Sequence, residues 1–464
     1  MRVRFPVSAT TKATTLTCAA VCAAFLAACH PAAQPVAVPA TPAASGAAAP
    51  AGLGRVNHLV VIFLENRSFD NLYGQFAGAD GLDAAAHAAP QADANGTLYT
   101  TLPQANGSPF PTTLPNAPFD MSPYTPPTVP TRDLVHRFYQ EQMQINGGKM
   151  DRFVAVSDAK GQVLGHYRTD DLPVAQEAKQ YTLCDRFFHS AFGGSFFNHF
   201  FLVATAPPVF PNATRGVAVL DSTGRMVKDG FITPDGYVIN TAFTINTPHP
   251  ANAPRENLVP NQTMPNIGDR MTEGNVSWAW YSEGWDDALA GHPDSAFQFH
   301  HQPFAYFANY ADGTQAKKDH LKDEKEFFAA AAAGTLPQVS FVKPMDMHNE
   351  HAGEVDIMSG ERHVIELINA VRNGPNWKDA AIIIAYDENG GWWDHVAPPV
   401  IDRWGPGTRI PAIVISPFAK KGYIDHTQYE TASILATIEK RWGVKPVGTR
   451  DAHATNMGNA FEGQ

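Results

Sequence analysis

The sequence predicts an α/β protein with a mainly parallel central sheet. Leu59, Val60, Val61, Ile62, Phe63 and Leu64 form an unbroken apolar run, the pattern of a strand buried on both faces. Ala381, Ile382, Ile383, Ile384, Ala385 and Tyr386 repeat it far downstream. Around these runs, short apolar segments alternate with helical patterns, as in parallel sheets covered by helices. A chain of 464 residues can hold one large domain of this class with insertions, or two to three average domains.

Both runs stop at oxygen-bearing side chains. Glu65 and Asn66 end the first; Asp387, Glu388 and Asn389, followed by Gly390 and Gly391, end the second. Open α/β sheets bind ligands at the carboxyl ends of their strands. Two buried strands that each end in hard oxygen donors therefore predict one shared metal site. The residues after the first strand, Arg67 to Gly74, read as a loop.

The N-terminus reads as a targeting segment. Arg2, Arg4 and Lys12 precede a small and apolar region from Leu16 to Ala28, the layout of a secretory signal. Leu26, Ala27, Ala28 and Cys29 resemble a bacterial lipobox with Cys29 as the acylated residue; cleavage nearby to a soluble secreted protein is the other reading. The expected address is export: periplasmic, secreted, or anchored to the outer membrane through lipidated Cys29. Residues 30–54 are almost all Pro, Ala and Gly and read as a tether. A folded domain is expected over residues 55–455. Cys18, Cys22 and Cys29 lie in the leader, so Cys184 has no partner for an intramolecular disulfide and reads as a core residue.

Residues 81–132 and 207–266, rich in Pro, Asn and Thr, read as insertions, the second with hairpin turns at Ser222-Thr223-Gly224 and Pro234-Asp235-Gly236. A helix is expected to start near Leu134 and another to follow Pro173. His189 to His199 contains Gly193, Gly194 and Ser195. Paired glycines permit a sharp turn, and the residue after them can present its hydroxyl at a helix start, either as a nucleophile or as a plain helix cap. Val276 to Tyr281, Gln338 to Val342 and Ile410 to Ser416 read as strands. Val364, Leu367, Ile368 and Val371 fall on one helical face. His300 and His301 are adjacent, an arrangement that points at most one of them toward a given site.

Three ordered motifs resemble one family. They are Glu65 to Asn71 (ENRSFDN), Gly193 to His199 (GGSFFNH) and Tyr386 to Val396 (YDENGGWWDHV). They look like the bacterial phosphoesterases, which include phosphatidylcholine-type phospholipases C and AcpA-like acid phosphatases within the alkaline phosphatase superfamily. The segments 277–285, 297–304 and 349–353 look more like the acid phosphatase branch. The resemblance implies a three-layer α/β/α sandwich with inserted cap segments. It implies that Glu65, Asn66, Asp387 and Glu388 hold one divalent or transition metal ion, with Ser195 as nucleophile and ligand. His136, His300, His301 and His351 would bind phosphoryl oxygens or move protons. Two departures stand out: the family's Asn-Glu-His-Pro-Gly is Asn349-Glu350-His351-Ala352-Gly353 here, and Glu430 replaces its usual Asp.

Composition narrows the partners. A net charge of −11 argues against nucleic acid, so an anionic substrate must be drawn in locally. The expected substrates are phosphate-ester small molecules or phospholipids. Acid phosphatase action through a Ser195 phosphoenzyme is the leading reading, and a phospholipase C is the enzymatic alternative. A surface lipoprotein that only binds ligands is the non-enzymatic one. A sulfatase is disfavoured, since Ser195 lacks the Cys/Ser-x-Pro-x-Arg context.

Overall fold

The computed structural model describes residues 51–85 and 88–463, so the leader, Cys29 and most of the tether lie outside the described residues. Eight strands build the central sheet: β1 His58–Leu64, β2 Thr182–Cys184, β3 Trp278–Ser282, β4 Leu321–Asp323, β5 Val339–Lys343, β6 Ala380–Tyr386, β7 Ala412–Ile415 and β8 Tyr423–Asp425. Their spatial order is β8-β2-β7-β6-β1-β5-β3-β4. Every neighbouring pair is parallel except those made by β7, which runs against both β6 and β2.

The centre of the sheet is dry, as its composition demands. Val60 to Leu64 and all of β6 are buried, because apolar strands covered on both faces lose contact with water. Register then positions the chemistry. Leu64 of β1 lies opposite Tyr386 of β6 in a parallel ladder, so Glu65 and Asp387 leave the sheet side by side.

Seven helices matter below: α1 Phe69–Tyr73, α2 Phe138–Ile145, α3 Pro173–Gln180, α4 Ser195–Ala204, α5 Glu324–Ala333, α6 Ile357–Arg372 and α7 Ala432–Trp442. Helices α3, α5 and α6 pack as one set, and α4 with α7 as another, giving the three-layer arrangement. Among the described residues, no helix is long and apolar enough to cross a membrane.

The structure departs from the sequence reading in several places. The segment expected to be a loop after β1 contains α1, capped by Ser68, whose hydroxyl accepts from the Asn71 N–H at 3.2 Å. Helix α2 starts at Phe138 rather than near Leu134, and an extended Arg137 precedes it. The folded body also reaches beyond both expected limits. Ala51–Gly54 forms a helical turn with Leu53 buried, and Phe461 packs as a buried residue near the other end. The Ser222-Thr223-Gly224 turn does join a short antiparallel pair, Val219–Leu220 with Met226–Lys228. Cys184 is buried in β2.

Candidate active site

The two acid-bearing strand ends meet as the register requires. Asn66 takes a left-handed backbone conformation (φ 60°), and its N–H donates to Asp387 Oδ1 at 3.0 Å. The Glu388 N–H donates to the same oxygen at 2.7 Å. Gly390 is required here: its φ is +60°, and a Cβ on it would lie 2.4 Å from the Asn66 carbonyl oxygen.

Ser195 arrives as the first residue of helix α4. Gly194 is the helix cap and makes no side-chain cap bond, so the Ser195 hydroxyl is not spent on capping. It donates to Glu65 Oε2 at 2.7 Å and lies 3.3 Å from Asn66 Oδ1. The turn before it is rigid. Gly193 has φ +88°, and its N–H donates to buried Glu141 Oε2 at 2.6 Å. A ten-residue helix starting at Ser195 also places the positive end of its dipole beside that hydroxyl.

This donor set suits a cation. Asp387 Oδ2 is buried without a hydrogen-bond partner. The Asn66 side-chain oxygen faces only acceptors, and turning the amide over would let it donate to Glu388 Oε1 at 2.8 Å and Glu65 Oε2 at 3.1 Å. The neighbouring histidine decides between the two orientations. His351 Nδ1 donates to the Ala352 carbonyl at 2.7 Å, so in the neutral ring Nε2 accepts from the Asn66 amide at 2.8 Å. That leaves Asn66 Oδ1 among the oxygens of Glu65, Glu388 and Ser195, an arrangement that calls for a positive charge at its centre. Burial, together with the neighbouring Glu65 charge, pushes the Asp387 carboxyl well above the usual range. Burial and Asp387 do the same to Glu388.

Glu65 is the exception among these acids. Burial alone would raise it, but the charge of the Lys343 ammonium, the largest opposing influence, holds its carboxyl well below the usual range. Lys343 Nζ is ion-paired with Glu65 Oε1 and donates to the Phe63 carbonyl at 3.1 Å. His301 Nε2 lies 3.1 Å from the same Glu65 oxygen.

A cavity of about 270 Å³ opens over Ser195 and is lined by His136, His300, His301 and His351 together with Asp133, Asp346 and Glu354. Hollows of about 690 and 900 Å³ elsewhere contain none of the expected site residues. Both adjacent histidines reach the same cavity, contrary to the expectation that only one would. They sit in a short 3₁₀ turn, Phe299–His301, with ring centroids 4.6 Å apart. Burial holds both rings toward the neutral form, His300 down to about 4. His300 Nδ1 is buried with no partner. His136, nearer the surface, places Nε2 3.8 Å from Glu388 Oε1.

Two residues escaped the sequence reading. Lys343 ends β5, next to β1, by the same strand-end logic that picked out Glu65. His199 follows Ser195 by one helical turn; its Nδ1 bonds the Ser195 carbonyl at 2.7 Å, and its ring stacks on His301 with centroids 5.0 Å apart. Glu430, the departure noted above, is structural: it accepts from Ser190 Oγ at 2.8 Å and pairs with Arg450 at 2.7 Å.

A sheet whose strand ends gather carboxylates around one serine hydroxyl is a hydrolytic architecture, and the family follows from comparison. Residues 56–445 match the model of the phosphoesterase family, so the chain belongs to that family and is a hydrolase of phosphoric ester bonds. Phospholipase C A of Mycobacterium tuberculosis is 25% identical over 454 residues, covering 89% of this chain and 78% of that protein. Non-hemolytic phospholipase C of Pseudomonas aeruginosa is 24% identical over 424 residues, covering 84% of this chain and 54% of that protein. A protein in the alkaline phosphatase superfamily from Vibrio parahaemolyticus superposes with a TM-score of 0.34 at 11% identity, covering 72% of this chain and 75% of that one. That last likeness is too distant to bear on function.

Proposed function

We propose that the chain is a metal-dependent phosphoric monoester hydrolase of the acid phosphatase type, acting through a phosphoseryl intermediate on Ser195. One observation carries this: the Ser195 hydroxyl lies 2.7 Å from Glu65 Oε2 and 3.3 Å from Asn66 Oδ1, and Ser195 lines a small polar cavity. Glu65, Asn66, Ser195, Asp387 and Glu388 would hold the cation, which when bound polarises a phosphoryl oxygen and favours the serine alkoxide.

The chain's own groups do the rest. The hydrogen bond to Glu65 fixes the Ser195 oxygen for attack on phosphorus, and the alcohol leaves from the opposite side. His300, held toward the neutral form by burial and with its Nδ1 unpartnered, presents a ring N–H to the phosphoryl oxygens, while His301 gives its single N–H to Glu65 and holds that carboxylate in place. His351 has both nitrogens engaged, with Ala352 and with Asn66, so it positions the amide rather than moving a proton. His136 is then the proton donor to the departing alkoxide, because it lines the cavity with its Nε2 3.8 Å from Glu388 Oε1. Water next attacks the phosphoserine and frees phosphate.

The cavity lining favours a monoester. Among the described residues that line it there is no Phe, Tyr or Trp, and a choline-bearing lipid is expected to need a cage of such rings. A phospholipase C is the second reading: two relatives carry that name, and Asp133, Asp346 and Glu354 at the cavity would meet a cationic headgroup. Turnover of p-nitrophenyl phosphate and phosphatidylcholine by the same preparation separates them. Turnover of the lipid alone would defeat the monoester reading. Basic and apolar patterning in residues 1–29 supports export.

A further inference from the structure

Among the described residues, four groups of acids and histidines lie close enough to hold an ion, and in two of them a fixed cation already does that work. Lys343 answers Glu65, and the Arg409 guanidinium answers Asp70 and Asp394 at 3.2 and 2.8 Å. A third, Asp133 with His136 and His351, belongs to the cavity already described.

The fourth is different. Glu283 follows β3, His348 lies in the loop after β5, and His363 lies in α6. Their donor atoms all fall within 4.8 Å of one another. His348 Nδ1 is 2.8 Å from Glu283 Oε1, and the two imidazoles stack with centroids 4.6 Å apart. His363 Nε2 lies 3.0 Å from Glu324 Oε2 at the start of α5, and Glu366 Oε2 is 3.6 Å from His363 Nδ1. No lysine or arginine ion pair to Glu283 or Glu324 occurs among the described residues, so three carboxylates face only two titratable rings.

We propose that Glu283, His348 and His363 form a second metal site, separate from the oxygen-rich one, that takes Zn²⁺ or a similar borderline divalent cation. Two imidazoles and one carboxylate are a zinc-type ligand set, whereas the donors around Ser195 are all oxygen. Glu324 orients His363 through its hydrogen bond, as carboxylates behind metal-bound histidines do. The ion would tie a strand end, a loop and a helix together. His348 is three residues before His351, so it would also pin the segment that carries His351 to the cavity. The site does not depend on which ester the other one cleaves.

The test uses the full chain, stripped with a chelator and titrated with Co²⁺, following visible absorption and metal content by mass spectrometry. The wild type should bind two Co²⁺ per chain, one with the intense absorption of a tetrahedral site. His348→Ala/His363→Ala should keep one ion and lose that band, while Asp387→Asn/Glu388→Gln should keep the band. Unchanged stoichiometry and absorption in the double-histidine variant overturns the proposal. Should that variant not fold, Glu324→Gln serves: it should weaken the absorbing site roughly 10- to 100-fold, and unaltered affinity overturns the proposal.

Discussion

Replacing Lys343 with Met probes the charge balance that holds Glu65 in place. Both side chains are fully buried and paired, and Lys343 is the largest of the influences that keep Glu65 ionised against its burial. Removing the ammonium strands a buried carboxylate beside Asp387, whose carboxyl is already pushed up by burial and then by Glu65. Breaking a buried pair from one side costs about 3–5 kcal/mol. Domain stabilities are about 5–15 kcal/mol, so the loss should be a large fraction of the total. Glu65→Gln/Lys343→Met removes both charges and should recover about 2 kcal/mol or more of it. Urea unfolding of the chelator-treated proteins measures both. A single variant within about 1 kcal/mol of wild type, or a double variant no more stable than the single, would refute the reasoning.

Other outcomes follow from buried titrating groups. Burial alone would lower His395, but its bond to Asp70 and the charge of Asp394 raise it from 6.5 to about 9. Its contribution is therefore complete below pH 6.5 and lost as pH rises through about 9, and His395→Gln should remove about 1–2 kcal/mol of pH-dependent stability over that window. Glu439 runs the other way: burial and then Asp451 raise it from 4.5 to about 9, so its ionisation costs stability progressively between those pH values. Glu439→Gln keeps a donor to Asp451 and should be about 2–4 kcal/mol more stable than wild type near pH 8, with little difference near pH 4, by thermal or urea unfolding. His136→Asn should lower kcat for p-nitrophenyl phosphate by roughly 100- to 10,000-fold. It should lose far less with a phenol of low pKa, which leaves without a proton; equal losses on both substrates would remove His136 from that role.

Much of the site was legible because its physics is local to the sequence. Apolar runs that stop at Glu65 and Asp387 announce strands with oxygen donors at their ends, and the parallel register of β1 and β6 joins them. The direction of β7 was not legible, since an apolar run has no polarity of its own. Helix α1 hid within five residues, although Ser68 three positions before Asn71 was a readable cap. His300 and His301 converge only because a 3₁₀ turn carries them, and alternation gives no hint of that. Lys343 lay one residue past the strand read as Gln338 to Val342. Its meaning depends on β5 lying beside β1, which is a property of the sheet order.

The central claim is that Ser195 carries the phosphoryl group between attack and release. Rapid acid quenching of the protein during turnover of p-nitrophenyl phosphate, followed by peptide mass spectrometry, tests it directly. The account predicts one phosphoryl group on the peptide containing Ser195, absent in an inactive Ser195→Ala variant. A Ser195→Ala variant that turns over at the wild-type rate would contradict it.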